Sequence, residues 1–303
     1  MRISTTLQHQ VGVAQMLNQQ SKMSATQMKM ASGKKYLTPS ENPQVAASEV
    51  YFKQRIKVYE QYQDNIITIR QRLEQENSGV DAGVEIVQRV RELAVQAFND
   101  VNQGLNRQQI ADEIGQLNEN LLKIANTQNP NGEYIFSGYA SDKRTYEDSS
   151  GSYVYQGDAQ RSLIIGPERE MADGDVGNDV FGVVDTVSPT LTPGAIDNVF
   201  QAIAQLSTDL KANLSNTDSL RDLDKAIERM STVQVSIGAR LNTLDVQQDL
   251  NDAYIIDHKT IVSEISDLDY AEAISQFNLQ QTALQAAQQS YAKVQGLSLF
   301  NYL

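Results

Sequence analysis

Two kinds of residue in this chain could carry chemistry: a pair of histidines and a run of acids. His9 and His258 are the only histidines, and each stands alone on a segment with helical spacing. A zinc site needs several ligands at short fixed intervals, and neither histidine has them. Asp257 adjoins His258, but neighbouring side chains on a helix point in different directions and form no acid–base pair. Asp173, Asp175, Asn178 and Asp179 offer hard oxygen donors for a cation, yet the spacing is not that of an EF-hand loop. A solvated acidic loop is the plainer reading. Gly174 and Gly177 fall in the same stretch, where a phosphate would be repelled rather than cradled. No nucleophile–base arrangement is visible. These residues predict no enzyme, no cofactor and no metal centre, so function has to be sought in the elements that would have positioned them.

Those elements are long helices. Pro is absent from Gln44 to Asn129 and again from Gly194 to Leu303, so nothing there breaks a helix. Near the N-terminus Ile3, Leu7, Ala14, Leu17, Met28 and Ala31 fit one seam, while Met16, Met23 and Met30 recur by heptads. Gly33 offers a C-terminal stop. In the connector Leu37–Gln44, Ser40 or Asn42 can cap the next helix, with Pro43 in its first turn. Val45, Phe52, Tyr59, Ile66 and Leu73 then keep a clear heptad over 44–76. Ser78-Gly79 and Gly83 predict a break before a segment over 84–98. Ile114, Leu117 and Leu121 mark a third helix over 105–127.

At Asn129 the pattern changes. Asn131-Gly132 is a hairpin turn signal, and strands are expected at 134–136, 152–156, 162–165 and 180–184. Helices resume behind Thr192-Pro193. After a loop at Leu214–Asp218, Leu223, Ile227, Ile237, Leu241 and Leu244 form the longest stripe, carried on toward Tyr270. Phe277, Leu284, Ala287, Tyr291 and Val294 close the chain in a coiled-coil rhythm of four and three. The expected fold is mainly α: a long coiled-coil-like helical rod made by paired N- and C-terminal regions, with a small inserted β-rich domain.

Composition narrows the function. The 303 residues are 40% hydrophobic and 21% charged, with no Trp and no Cys. Disulfide and thiol chemistry are thereby excluded. The net charge of −13 argues against general nucleic-acid binding. No run is long and apolar enough for a membrane span, and the first residues lack the apolar core of a Sec signal peptide. The first carboxylate is Glu41 and the last is Glu272, whereas Asn131–Ile196 holds 11 acids against 4 bases. Charge-poor ends suit burial in an assembly, and an acidic middle suits solvent. The terminal seams are also too lean in large apolar groups to offset the entropy of ordering them. Both ends therefore need each other and neighbouring copies before they become ordered, with a simple intramolecular coiled coil as the alternative.

Specific strings add to this. MRISTTLQHQVGVAQMLNQQ, followed by SGKKYLTPSENPQVAA at Ser32–Ala47, resembles the flagellin superfamily, in which the first helix ends at a glycine before a Pro-Ser-acid-x-Pro connector. Here the connector is Pro39-Ser40-Glu41-Asn42-Pro43, with Asn42 in place of the usual second acid. NGEYIFSGYASDKRTY at Asn131–Tyr146, SIGARLNTLD at Ser236–Asp245 and the run from Asp269 to Leu303 are similar to the superfamily's hook–filament junction branch, the hook-associated proteins of the FlgL type.

That resemblance implies a structural part of the bacterial flagellum, lying outside the cell in a ring-like layer between the hook-side junction protein and the flagellin filament. It implies export through the flagellar type III channel and escort by a cytoplasmic chaperone. By position, 1–35 and 265–303 become terminal coiled-coil segments disordered in the monomer, 36–135 and 195–264 the helical rod domain, and 136–194 the outer β-rich domain. The assembly seam expected for self-association comprises Ile3, Leu7, Leu17, Met28, Phe277, Leu284, Ala287, Tyr291 and Val294. The chaperone would take Phe277, Leu284, Tyr291 and Leu299. The rod core would be Val45, Phe52, Tyr59, Ile66, Leu73, Ile114, Leu117, Leu121, Leu223, Ile227, Ile237, Leu241 and Leu244. Two alternatives stay open: flagellin, the filament subunit, and a secreted adhesion or binding module with the acidic insert as its surface. NGEYIFSGY and the LFNYL ending favour the junction branch.

Overall fold

A computed structural model describes residues 5–99, 105–149, 152–182, 197–214 and 216–296. Among these described residues, seven helices and four short strands follow in order: α1 (Thr5–Ser32), α2 (Pro43–Phe98), α3 (Leu105–Ala125), β1 (Tyr146–Ser149), β2 (Ser152–Tyr155), β3 (Ser162–Gly166), β4 (Arg169–Ala172), α4 (Gly177–Phe181), α5 (Val199–Lys211), α6 (Asp218–Ser266) and α7 (Tyr270–Gly296). The chain divides into two compact units, a terminal one of Met1–Val58 with Ala253–Leu303 and a central one of Tyr59–Asp252. Both α2 and α6 contribute residues to each.

In the central unit, heptad residues of α2 meet α3, α5 and α6. Val80, Val87, Val90 and Ala94 of α2, Ile114 and Leu121 of α3, Ile203 and Leu206 of α5, and Met230 of α6 are all inaccessible to solvent. The segment between α3 and α5 belongs to the same core through Phe136, Tyr146, Val180 and Phe181. Phe136 and Phe181 meet edge to face at 5.2 Å, and Phe200 lies 4.8 Å from Tyr146 and 5.4 Å from Phe181. A second core joins Ile66, Ile69 and Leu73 of α2, Ile237 and Leu244 of α6, and Ile165 of β3. The strands form two separate antiparallel hairpins, β1–β2 and β3–β4, the latter bulged between Ile164 and Gly166.

Several expectations change. The break at Ser78-Gly79 and Gly83 does not occur, and α2 runs unbroken for 56 residues. Both glycines serve close approach: a Cβ on Gly79 would lie 3.5 Å from the Phe136 ring, and one on Gly83 would lie 3.5 Å from Leu121 and 3.8 Å from Phe181. Contact with neighbours compensates the cost of helical glycine, about 0.5–1 kcal/mol each. No strand forms at 134–136. Those residues make a looped turn in which Ile135 donates its N–H to Thr127 and Phe136 drops into the core. Of the strand expected at 180–184, Val180 and Phe181 instead close α4, whose single turn points them into the core, and Gly182 makes only an isolated antiparallel bridge to Asn198; Val183 and Val184 lie outside the described residues. Thr192-Pro193 also lies outside them, and the cap of α5 is Asn198, whose side chain accepts from Gln201 N–H. Strands β1 and β4 carry no strand signal of their own, since acidic and basic side chains interrupt the alternation that marks one. Finally, α6 stops at Ser266 instead of continuing to Tyr270.

Candidate assembly surface

The end of α1 and the end of α6 are one feature. Gly33 ends α1 with φ of +69°, a left-handed conformation suited to glycine. Opposite it, α6 ends at Ser266. The two breaks pair as a short antiparallel bridge: Lys35 N–H donates to Ser266 O at 2.8 Å, and Leu268 N–H to Gly33 O at 2.9 Å. Lys34 Nζ fastens the clip, 3.0 Å from Ser266 Oγ, 3.3 Å from Glu49 and 3.6 Å from Asp267. Both carboxyls are held below their ordinary range, Glu49 first by its hydrogen bond from Lys53 and Asp267 first by that from Ser263. A lowered folded-state value means that this contribution is present above the ordinary carboxylate range and lost as pH falls through the folded values. Asp269 then starts α7, its Oδ1 accepting from Ala271 and Glu272 N–H. The Asp269-x-x-Glu272 spacing is a capping signature readable in the sequence, one that apolar periodicity does not report.

From the clip, α1 and α7 run antiparallel. Tyr270 Oη donates to Met30 O at 3.2 Å, Gln19 Nε2 to Gln280 O at 3.4 Å, and the His9 and Tyr291 rings lie 5.3 Å apart. A Cβ on Gly12 would come within 2.9 Å of Tyr291, so this glycine lets the ring lie close to α1. The less exposed line of α1 is Gly12, Met16, Gln19, Met23, Thr26 and Met30; that of α7 is Ala273, Phe277, Gln280, Leu284, Ala287 and Tyr291. Both alternate four and three, the period of a coiled coil. Only Thr26 and Ala273 are buried on them; the others remain half-covered.

The described N-terminal residues of the expected assembly seam do not face α7. Leu7, Leu17 and Met28 are 54%, 61% and 52% exposed, on the outward side of α1 with Val11. The line through Met16, Met23 and Met30 is the one turned inward, on the side where Gly12 admits the Tyr291 ring. On α7 the exposed large hydrophobics are Tyr270, Ile274 and Leu279. Ile3 and Leu299 lie outside the described residues, as does the side chain of Val294. Of the expected rod core, Tyr59, Ile66, Leu73, Ile114, Leu121, Leu223, Ile237 and Leu244 are buried, whereas Val45, Phe52, Leu117, Ile227 and Leu241 are half-covered. Phe52 lies beside the His258 ring, with centroids 5.5 Å apart.

The acids that could have served as cation ligands are spent on ion pairs. Asp173 meets Arg72 at 3.2 Å and Arg161 at 2.6 Å, Asp175 meets Arg240, and Asp179 meets Arg229 at 3.3 Å. Among the described residues, no group of three or more acidic, histidine or cysteine side chains could hold a metal ion, and no helix is long and apolar enough to cross a membrane. What the geometry offers is a well-packed body and an amphipathic helix pair with apolar groups on both its inner and outer lines: the parts of a subunit that packs against others.

Residues 3–141 match the bacterial flagellin N-terminal helical region, and residues 220–303 match the bacterial flagellin C-terminal helical region. The two span most of the sequence, and the chain belongs to the bacterial flagellin family. Within it, the chain is 28% identical to flagellar hook-associated protein 3 of Escherichia coli (strain K12), covering 99% of both chains. It is 26% identical to the Salmonella typhimurium protein of that name, again over 99% of each. The match to Bacillus subtilis flagellin is 28% over 69% of this chain and 68% of that one. A flagellar hook-associated protein structure from Vibrio parahaemolyticus superimposes with a TM-score of 0.66 at 19% identity, covering 75% of this chain and all of that one. Hook-associated protein 3 from Legionella pneumophila gives 0.65 at 21% identity over 71% of this chain and 98% of its own. The fold is therefore that of the hook-associated branch, matched end to end in sequence, with filament flagellin more distant.

Proposed function

We propose that this chain is a structural, non-catalytic subunit of the bacterial flagellum that joins the hook-side junction protein to the flagellin filament. The observation that carries the reading is the end-to-end match to hook-associated protein 3, against a match to flagellin over two thirds of the chain. In this role the subunit leaves the cell through the flagellar type III channel, guarded by a cytoplasmic chaperone on Phe277, Leu284, Tyr291 and Leu299. It orders its terminal helices as copies gather into a layer. Residues 1–35 with 265–303 act as the inner coiled coil, 36–135 with 195–264 as the rod and 136–194 as the outer part. Support for assembly-linked ordering comes from the helix pair itself. Its inner lines are half-covered, and Leu7, Leu17, Met28 and Leu279 are each more than half exposed. Such surface suits an interface more than a free helix. The exposed outer line of α1 faces neighbouring copies, while the methionine line and Phe277, Leu284, Ala287 and Tyr291 join the two helices.

Electron microscopy of cells lacking the gene tests this reading. Hooks without filaments, with flagellin shed into the medium, are expected. Normal hooks and filaments together with lost surface attachment would transfer the function to adhesion, and a subunit that polymerises alone into long filaments would make it flagellin.

A further inference from the structure

Inside the central unit one carboxylate lacks what a buried charge requires. Glu76, on α2, is 1% exposed. Its Oε1 accepts the N–H of Asp175 at 2.9 Å, and its Oε2 has no hydrogen-bond partner. Arg240 of α6 is the guanidinium beside it, but Arg240 Nη2 is bound to Asp175 Oδ2, and its buried Nε and Nη1 find no acceptor. With all three groups ionised, two carboxylates share one cation and the cluster carries a net negative charge out of water. A single proton makes it neutral.

The other charges nearby are committed. Arg72, one turn earlier on α2, holds Glu133 and Asp173; Arg161, just before β3, holds Asp173 and approaches Glu133 at 4.0 Å. Neither is free to neutralise Glu76. Gln160 Nε2 donates to Gly174 O and to Asp175 Oδ1, so it fixes the segment without supplying charge. Gly174 lets that segment close: a Cβ there would stand 3.3 Å from Glu76 Oε2.

We infer that Glu76, Asp175 and Arg240 form a proton-controlled latch between segment 173–176 and the α2–α6 pair, closed while Glu76 carries a proton and loosened when it ionises. Burial, and then the charge of Asp175, push the Glu76 carboxyl well above its ordinary range. Burial raises Asp173 as well, opposed by Arg161. A raised folded-state value gives stability that is complete below the ordinary range of a glutamate and disappears as pH rises through the folded value. The latch therefore tightens on mild acidification, the opposite sign to the Lys34 clip. What it controls is local: the turn that leads from the β3–β4 hairpin into α4, and with it the seating of Phe181.

The test uses the full chain. The Glu76 side-chain carboxyl carbon is followed by NMR against pH in the wild type, and hydrogen exchange of the Asp175 amide is read at about pH 5 and about pH 8 after correction for intrinsic rates. Wild-type Glu76 is expected to titrate clearly above the ordinary glutamate range. Asp175 protection should fall about tenfold or more over that interval, because each pH step of one between the folded and the ordinary titration is a factor of ten in the opening equilibrium. Glu76→Gln, which keeps the acceptor and removes the titration, should flatten the dependence. A wild-type titration within the ordinary range overturns the latch whether or not the variant folds, and so does an unchanged dependence in E76Q.

Discussion

The central and terminal units are built from the same kind of helix yet meet water in opposite ways. In the central unit Ile66, Ile69, Leu73, Val80, Val87 and Val90 of one helix are all fully enclosed. Among the described residues of the terminal unit, the buried hydrophobics are Ile56, Ile255 and Ala273 alone, the first two 8% and 7% exposed. The difference is not one of spacing, since the buried line of α5 (Val199, Ile203, Leu206 and Leu210) alternates four and three just as those of α1 and α7 do. It is one of partners: α2 meets α3, α5, α6 and the insert, whereas α1 and α7 have essentially one another. A helix needs enough buried apolar area to offset the entropy of ordering it. The central unit supplies that area within one chain; the terminal pair leaves both of its inner lines mostly half-covered.

The largest test of this contrast is a matched pair of truncations. Phe200→Ala should cost the central unit about 3–5 kcal/mol by urea unfolding, because its ring is enclosed by Tyr146, Tyr153 and Phe181. Leu284→Ala, on the half-covered line of α7, should cost the free subunit under about 1 kcal/mol, since only partly buried area is lost. Equal losses would mean that the terminal pair is a finished core and would remove the contrast. Next come charges on the outward face. Leu17→Asp and Leu279→Asp should leave unfolding of the free subunit unchanged while abolishing its incorporation into the flagellum. Full motility in both variants would show that this face meets nothing.

Smaller effects sharpen the picture of the terminal unit. Asp269→Ala removes the cap of α7 and should lower its helicity by circular dichroism, at a cost of about 1 kcal/mol. A spectrum unchanged from wild type would mean that the cap is redundant with the clip. Smallest is Lys34→Ala, worth a few tenths of a kcal/mol for exposed ion pairs. It should raise amide exchange at Leu268 near neutral pH and leave little further loosening on acidification. In the wild type, that amide should lose protection as pH drops below the ordinary carboxylate range, the sign set by lowered Glu49 and Asp267.

Much of the helical architecture is legible because helices report their faces locally. Val45 to Leu73 fall at heptad positions, and Asn42-Pro43 marks the start of α2, with Val45 N–H donating to Asn42 Oδ1 at 3.2 Å. Legibility fails where a distant partner decides. Gly79 and Gly83 look like breaks until Phe136 and Leu121 occupy the space they leave. Strands of four residues, such as Tyr146–Ser149 and Arg169–Ala172, are too short to show an alternation, and only their antiparallel partners define them. On α1 two apolar lines compete, and the sequence holds no local reason to prefer the methionines. The choice falls to Gly12, where Tyr291 comes against the α1 backbone.

Periodicity, caps and the scarcity of chemistry-bearing residues are inscribed in the chain: a mainly helical protein with amphipathic ends and an interrupted middle needs no coordinates to recognise. Which of two faces turns inward, where α6 must end to meet Gly33, and why Glu76 sits beside Asp175, 99 positions further along the chain, are outcomes of packing. Local signals set what each segment can become, since hydrogen bonds within a helix span only one turn. Long-range contacts choose among those possibilities because burial is energetic only when two surfaces meet.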